Sequence, residues 1–213
     1  MTWYASQLIT RGTPQVLGHL KSNPLFRDHS FLVTNPVKHH WHRPGIAHSL
    51  PSEGLAFVRP ICDPNDHISG WHDEEVLSWK RFEDAPEVGL ELSPRAVRAR
   101  LPQVEFTAFP PESVLCTAKK LQQDTGTPVA FFYSFYWGGL PEIEHAWLFD
   151  ESERVLVTVR DKEVGCLIEI DQMTAEQREG DVLVHVLRWL SCDQPTEFFA
   201  PHTRGFPWHE YQI

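Results

Sequence analysis

The residues whose types and spacing best suit chemistry are histidines. His39, His40, His42 and His48 crowd one stretch, and His67 and His72 follow. Imidazoles this close can bind zinc, nickel or copper, and His40 and His42 would point the same way from an extended chain. A metal-assisted hydrolase using His39, His40, His42 or His72 is therefore one reading. Against it, metal ligands normally come from several fixed elements backed by carboxylates. The sequence holds neither an H-E-x-x-H motif nor an H-x-E…C-x-x-C arrangement. No metal, cofactor or catalytic residue is assigned on these grounds.

Other catalytic patterns are weaker. Asp124-Thr125-Gly126 spells the aspartic-protease triplet. That chemistry needs the triplet after an apolar strand, and two copies sharing a proton. Here it occurs once, after a helical pattern, and reads as a helix C-terminus. There is no G-x-S-x-G elbow, and neither phosphate-binding loop, G-x-x-x-x-G-K-[ST] or G-x-G-x-x-G, is present. Cys62, Cys116, Cys166 and Cys192 form no C-x-x-C pair, which excludes zinc-ribbon and thioredoxin-like sites by spacing. Cys116 and Cys166 lie in apolar patterns and read as buried small hydrophobes. A hydrolase built on paired carboxylates stays open, because pairing in space is not visible in sequence.

A different chemistry is suggested by Tyr136-Trp137-Gly138-Gly139-Leu140-Pro141-Glu142-Ile143-Glu144. Aromatic residues beside acids suit a protein-binding surface, where Trp and Tyr dominate the energetics. Tyr136, Trp137, Glu142 and Glu144 are the candidate contacts. The bland alternative is that Trp137 packs on the core and Gly138-Gly139 merely turns a hairpin.

The elements that must position these residues are legible in the middle of the chain. Val114, Leu115, Ala118 and Leu121 give a helix from Glu112 to Gln123, which Thr125-Gly126 stops. From Pro128 to Asp171, four strands on short turns predict an antiparallel meander. Its first strand is apolar on both faces and belongs inside a sheet. Thr174 with Gln177 forms a capping-box pattern that opens a helix towards Leu190. Shorter helices are expected after Thr13-Pro14, after Asp73 (Glu74 to Phe82) and after Ser93-Pro94. Short strands are expected at Phe31–Val33, Gly54–Ile61 and Val104–Phe109.

Residues 1 to about 52 read as an irregular, His-rich arm, 104–190 as a helix–sheet–helix core, and 193–213 as an aromatic tail packed on the body. The fold class is a single α+β domain. Its sheet should be mainly antiparallel with four to six strands and helices mostly on one face. The helices from Glu112 and Thr174 are expected to supply one cover, and the N-terminal region or the tail the other.

The composition bounds the partners. The 29 Asp and Glu against 19 Lys and Arg leave a formal charge of −10 over 213 residues. That balance disfavours nucleic acid and anionic membranes, and attracts basic proteins. No stretch suits a bilayer span, the start lacks a signal-peptide pattern, and cytoplasm is the expected compartment.

The helix before Pro128, the strand Pro128-Val129-Ala130-Phe131-Phe132-Tyr133, Tyr136-Trp137-Gly138-Gly139, Glu142 and Ala146-Trp147-Leu148-Phe149 together resemble the core of small bacterial immunity proteins. Those are the partners of polymorphic and contact-dependent toxins. The resemblance spans about a quarter of the chain and implies a non-enzymatic inhibitor that binds a protein toxin, expected to be basic. It carries over no catalytic residue. A regulatory or structural domain without a toxin partner is the third reading, and the sequence leaves the oligomeric state open.

Overall fold

The computed structural model describes residues 2–35, 49–59, 88–102, 110–137, 140–161, 164–196, 199–202 and 206–213. In chain order these form β1 (Thr2–Arg11), α1 (Pro14–Ser22), β2 (Ser30–Val33), β3 (Leu55–Val58), α2 (Pro94–Arg100) and α3 (Glu112–Thr125). There follow β4 (Val129–Trp137), β5 (Leu140–Phe149), β6 (Glu153–Asp161), β7 (Val164–Ile170), β8 (Ala175–Arg178) and α4 (Val182–Trp189). The strands make one open sheet in the order β2-β3-β1-β4-β5-β6-β7-β8, antiparallel at every pairing. The fold is α+β, with eight strands among the described residues rather than four to six.

The extra strands come from segments with weak signals. Thr2–Arg11 is not irregular: it pairs with β4 from Thr2↔Trp137 to Thr10↔Val129 and lies inside the sheet. Leu8 enters one core and Ile9 the other, because alternate residues face opposite ways. At the other end, the expected helix from Thr174 is replaced at its start by β8. Asp171 Oδ1 accepts the N–H groups of Met173 (2.7 Å) and Thr174 (2.6 Å) and turns the chain back onto β7. The helix begins only at Val182, after Gly180 at φ +111°.

Where local signals are strong, structure follows them. Thr13 and Ser93 each cap a helix whose first residue is proline, accepting from Val16 N and Ala96 N at 3.3 Å. Gly126, at φ +63°, ends α3 in the left-handed conformation. The expected helix Glu74 to Phe82 and strand Val104–Phe109 lie outside the described residues, as does the turn Gly138-Gly139.

Two cores result. On the first face, Leu8, Phe131, Trp147 and Ile170 pack under α1, α2 and α3 through Val16, Leu20, Val97, Val114 and Leu121. On the second, Ile9, Phe132, Leu148 and Leu156 pack under α4 and the C-terminal Phe199 and Phe206, with Trp208 and Tyr211 against them. The helices from Glu112 and Val182 therefore cover opposite faces, correcting the expectation that they share one. The tail also closes an edge: Leu32 N donates to Tyr211 O (2.8 Å) and Ile213 N to Ser30 O (3.2 Å) along β2. No described helix is long and apolar enough to cross a membrane.

The central place of β1 is testable. Leu8 is fully buried, so Leu8→Ala should cost about 2–5 kcal/mol in urea unfolding, as for a core residue. A loss below about 0.5 kcal/mol would return the N-terminus to an arm.

Candidate functional site

The pairing register gathers aromatic residues at one end of the central strands. Trp137 pairs with Leu140 and Tyr136 with Pro141 across β4 and β5, while Thr2 pairs with Trp137 and Trp3 with Tyr136 across β1 and β4. Tyr4 follows opposite Phe135. The sequence reading missed Trp3 and Tyr4. The signal that would have found them is a stretch free of Gly and Pro up to Gly12, carrying aromatic and β-branched residues. A register shift between Phe135 and Tyr136 marks a bulge where this end begins, a device that re-aims a strand. Glu142 lies on β5 within the same end.

Immediately inward, the sheet carries a buried polar band. On the first face, the Tyr133 and His145 rings stack with centroids 4.8 Å apart, and His145 meets Trp147 edge-on at 5.3 Å. On the second face, Ser134 Oγ donates to Glu144 Oε1 at 3.3 Å. Glu144 is 1% exposed, so it belongs to the interior and not to the surface expected from sequence. Gln7, on the same face beside Phe132, is 2% exposed, and its Nε2 has no hydrogen-bond partner among the described residues. Thr158 Oγ1, one residue past the His145↔Val157 pair, is likewise buried without such a partner.

This band contains acid and base but no dyad between neighbours. Glu144 and His145 are adjacent on one strand, so carboxylate and imidazole point to opposite sides of the sheet. Burial pushes the His145 pKa down to about 3, leaving a neutral ring at physiological pH. A second buried imidazole, His202, meets Phe132 at 6.1 Å on the Glu144 side of the sheet. Its pKa is pushed down to about 4 by burial, against a raising hydrogen bond to Phe199 O. That bond, 2.8 Å from Nδ1, makes Nδ1 the protonated nitrogen, since a carbonyl can only accept.

At the opposite end of the strands lies an open, polar cleft of about 240 Å³, bordered by Glu91, Lys119, Gln122, Asp150, Glu151 and Glu153. Its chief carboxylate is fully engaged. Glu153 accepts from Glu91 N (2.8 Å), Leu92 N (2.9 Å) and Lys119 Nζ (2.5 Å). Trp147 Nε1 donates to Leu92 O at 2.7 Å, and the half-buried Cys116 thiol to Val88 O at 3.2 Å. These contacts clamp residues 88–92 to the sheet, which is a structural task.

Neither Cys116 nor Cys192 is an activated nucleophile. Burial raises the Cys116 pKa, and pushes Cys192 up to about 11, so both are thiols at neutral pH. Cys116 and Cys166 are half-buried and Cys192 is the buried one, which corrects the expectation for the first two. Asp124 is a helix-end residue paired with Lys120, in line with the C-terminal reading of its triplet. His39, His40, His42, His48, His67 and His72 lie outside the described residues. Among those described, no group of three His, Cys, Asp or Glu is placed to hold a metal ion.

The buried imidazoles make stability depend on pH. Unfolded, both would titrate near 6.5, and folded only near about 4 and about 3. Below pH 6.5 the unfolded chain therefore binds more protons, and stability falls as pH drops towards the folded values. The Tm should fall by several degrees from pH 7 to pH 5, and His145→Phe should flatten that slope. A Tm independent of pH over this window would contradict the burial of both rings. Comparison of the chain with protein families, curated proteins and solved structures finds no match.

Proposed function

We propose that this chain is a non-enzymatic protein-binding inhibitor, an immunity protein that neutralises a basic bacterial toxin in the cytoplasm by covering its active site or substrate surface. The observation that carries this reading is the placement, by strand register, of Trp3, Tyr136, Trp137 and Glu142 at one end of three adjacent strands. Trp and Tyr are the residues that most often anchor protein interfaces. A chain with net charge −10 steers a basic partner towards itself, and the strongest effect of that charge falls on the association rate.

The contacts proposed are Trp137, Tyr136 and Glu142, joined by Trp3. Glu144 leaves the set, because a carboxylate paired with Ser134 inside the sheet is out of a docked partner's reach. A rigid antiparallel sheet behind this end keeps it preorganised, which lowers the entropy lost on binding.

The test is protection. Co-expressed with the toxin encoded beside its own gene, the chain should restore growth and bind the toxin one to one. Trp137→Ala with Glu142→Lys should weaken binding by at least about tenfold, slow association, and leave the Tm within a few degrees. An absence of protection and binding would refute the inhibitor reading. Binding that ignores both substitutions would move the interface elsewhere.

A further inference from the structure

The two edges of the sheet are finished differently. The β2 edge is closed by Tyr211–Ile213. The β8 edge carries Ala175-Glu176-Gln177-Arg178, pairs with β7 alone among the named strands, and is exposed at all four residues. From this edge we infer that the protein forms a two-fold dimer, β8 pairing antiparallel with β8 of a second copy to make one continuous sheet.

The β7–β8 ladder fixes which backbone groups of β8 point outward. Asp171 N donates to Thr174 O at 3.1 Å, so that pair is hydrogen-bonded across the turn. Alternation in an antiparallel ladder then makes Glu169↔Glu176 and Leu167↔Arg178 the hydrogen-bonded pairs of β7 and β8. The N–H and C=O groups of Ala175 and Gln177 therefore face away from β7. A two-fold axis at Gln177 lets the two Gln177 residues exchange both bonds, and pairs Ala175 with Glu179 of the second copy.

The same axis sets each Glu176 opposite Arg178 of the other copy. These are non-hydrogen-bonded pairs, where side chains approach most closely. Sliding the axis by one residue puts it at Glu176 or Arg178, whose backbone groups already face β7, and opposes two carboxylates or two guanidinium groups. Arg178 is already ion-paired with Glu169 on its own sheet, so the dimer would set it between carboxylates of both copies. Charges of one sign block edge pairing, whereas this alternation makes the register centred on Gln177 self-complementary.

The hairpin is held ready for it. Arg100 donates to the carbonyls of Asp171 and Gln172, the latter at 2.6 Å, and fixes the turn. At its tip Met173 is 92% exposed, the one exposed large hydrophobic residue among those described. The proposed register brings Met173 alongside Asp181 of the second copy, at the start of α4.

Sedimentation velocity of the full chain over a hundredfold concentration range tests this. The wild type should pass from monomer to dimer. Gln177→Pro removes only an outward-facing N–H, so it should be monomeric with unchanged circular dichroism. Glu176→Arg alone and Arg178→Glu alone should each raise the dimer dissociation constant by about tenfold or more. An equimolar mixture of those two variants should restore the dimer, since every facing pair is then of opposite charge. A wild type that stays monomeric overturns the proposal, as does a dimer that survives both charge variants or a mixture that fails to associate. Should Gln177→Pro disturb folding, the charge-swapped mixture decides alone.

Discussion

Phe131 and Phe132 are adjacent on β4, and each is buried, one on either side of the sheet. A strand with large aromatic residues on both faces cannot be left half-solvated, so the sheet needs two covers. Most of the architecture answers that demand. Helices α1, α2 and α3 close the first face, and α4 with Phe199 and Phe206 closes the second. Trp147 extends the first core along β5, and its indole N–H, which would be costly to bury unpaired, is taken by Leu92 O. That bond and the Glu153 clamp fix residues 88–92, which lead into α2.

The polar band works against the same constraint. Ser134, Glu144, His145 and Tyr133 are placed where apolar side chains would be simplest, and burying polar atoms costs free energy unless they are paired. The Ser134–Glu144 bond and the Tyr133–His145 stack offset part of that cost. Gln7 Nε2 and Thr158 Oγ1, with no hydrogen-bond partner among the described residues, do not. Part of that cost falls next to the aromatic end of β1, β4 and β5, and part at the other end, where the buried Arg154 Nε has no hydrogen-bond partner among the described residues.

Legibility followed the strength of local signals. The meander from Val129 to Ile170 was readable because its strands are long, apolar and joined by short charged turns. Caps at Thr13, Ser93 and Gly126 were readable because each rests on one or two residues. β1 was not, since Ser6 and Gln7 break its apolar pattern, and its stability comes from distant β3 and β4. β8 was hidden by a true competition: Thr174 and Gln177 fit a helix start, but Asp171 captures the nearby N–H groups first. For the candidate site, Tyr136, Trp137 and Glu142 were visible as a cluster in sequence. Trp3 could join them only through the β1–β4 register, and the burial of Glu144 depended on a face assignment that one residue of slippage reverses.

The two edges follow from how the chain ends and turns. Among the described strands the sheet has two edges, β2 and β8, and an edge must be covered, charged or used. At β2 the chain covers itself, with Phe31 and Phe57 both packed edge-on against Trp208, and Arg59 over that indole at 4.5 Å. Those contacts hold the C-terminal segment where its backbone can reach Ser30 and Leu32. At β8 no described segment does the same, and residues 182–189 lie on the second face as α4. The second face needed that helix more than the edge did: fully burying one large aliphatic side chain contributes about 1.5–3 kcal/mol, more than a typical hydrogen bond does net. An edge left open by that balance is where selection on side chains has most freedom, and the alternating charges of Glu176 and Arg178 stand on it.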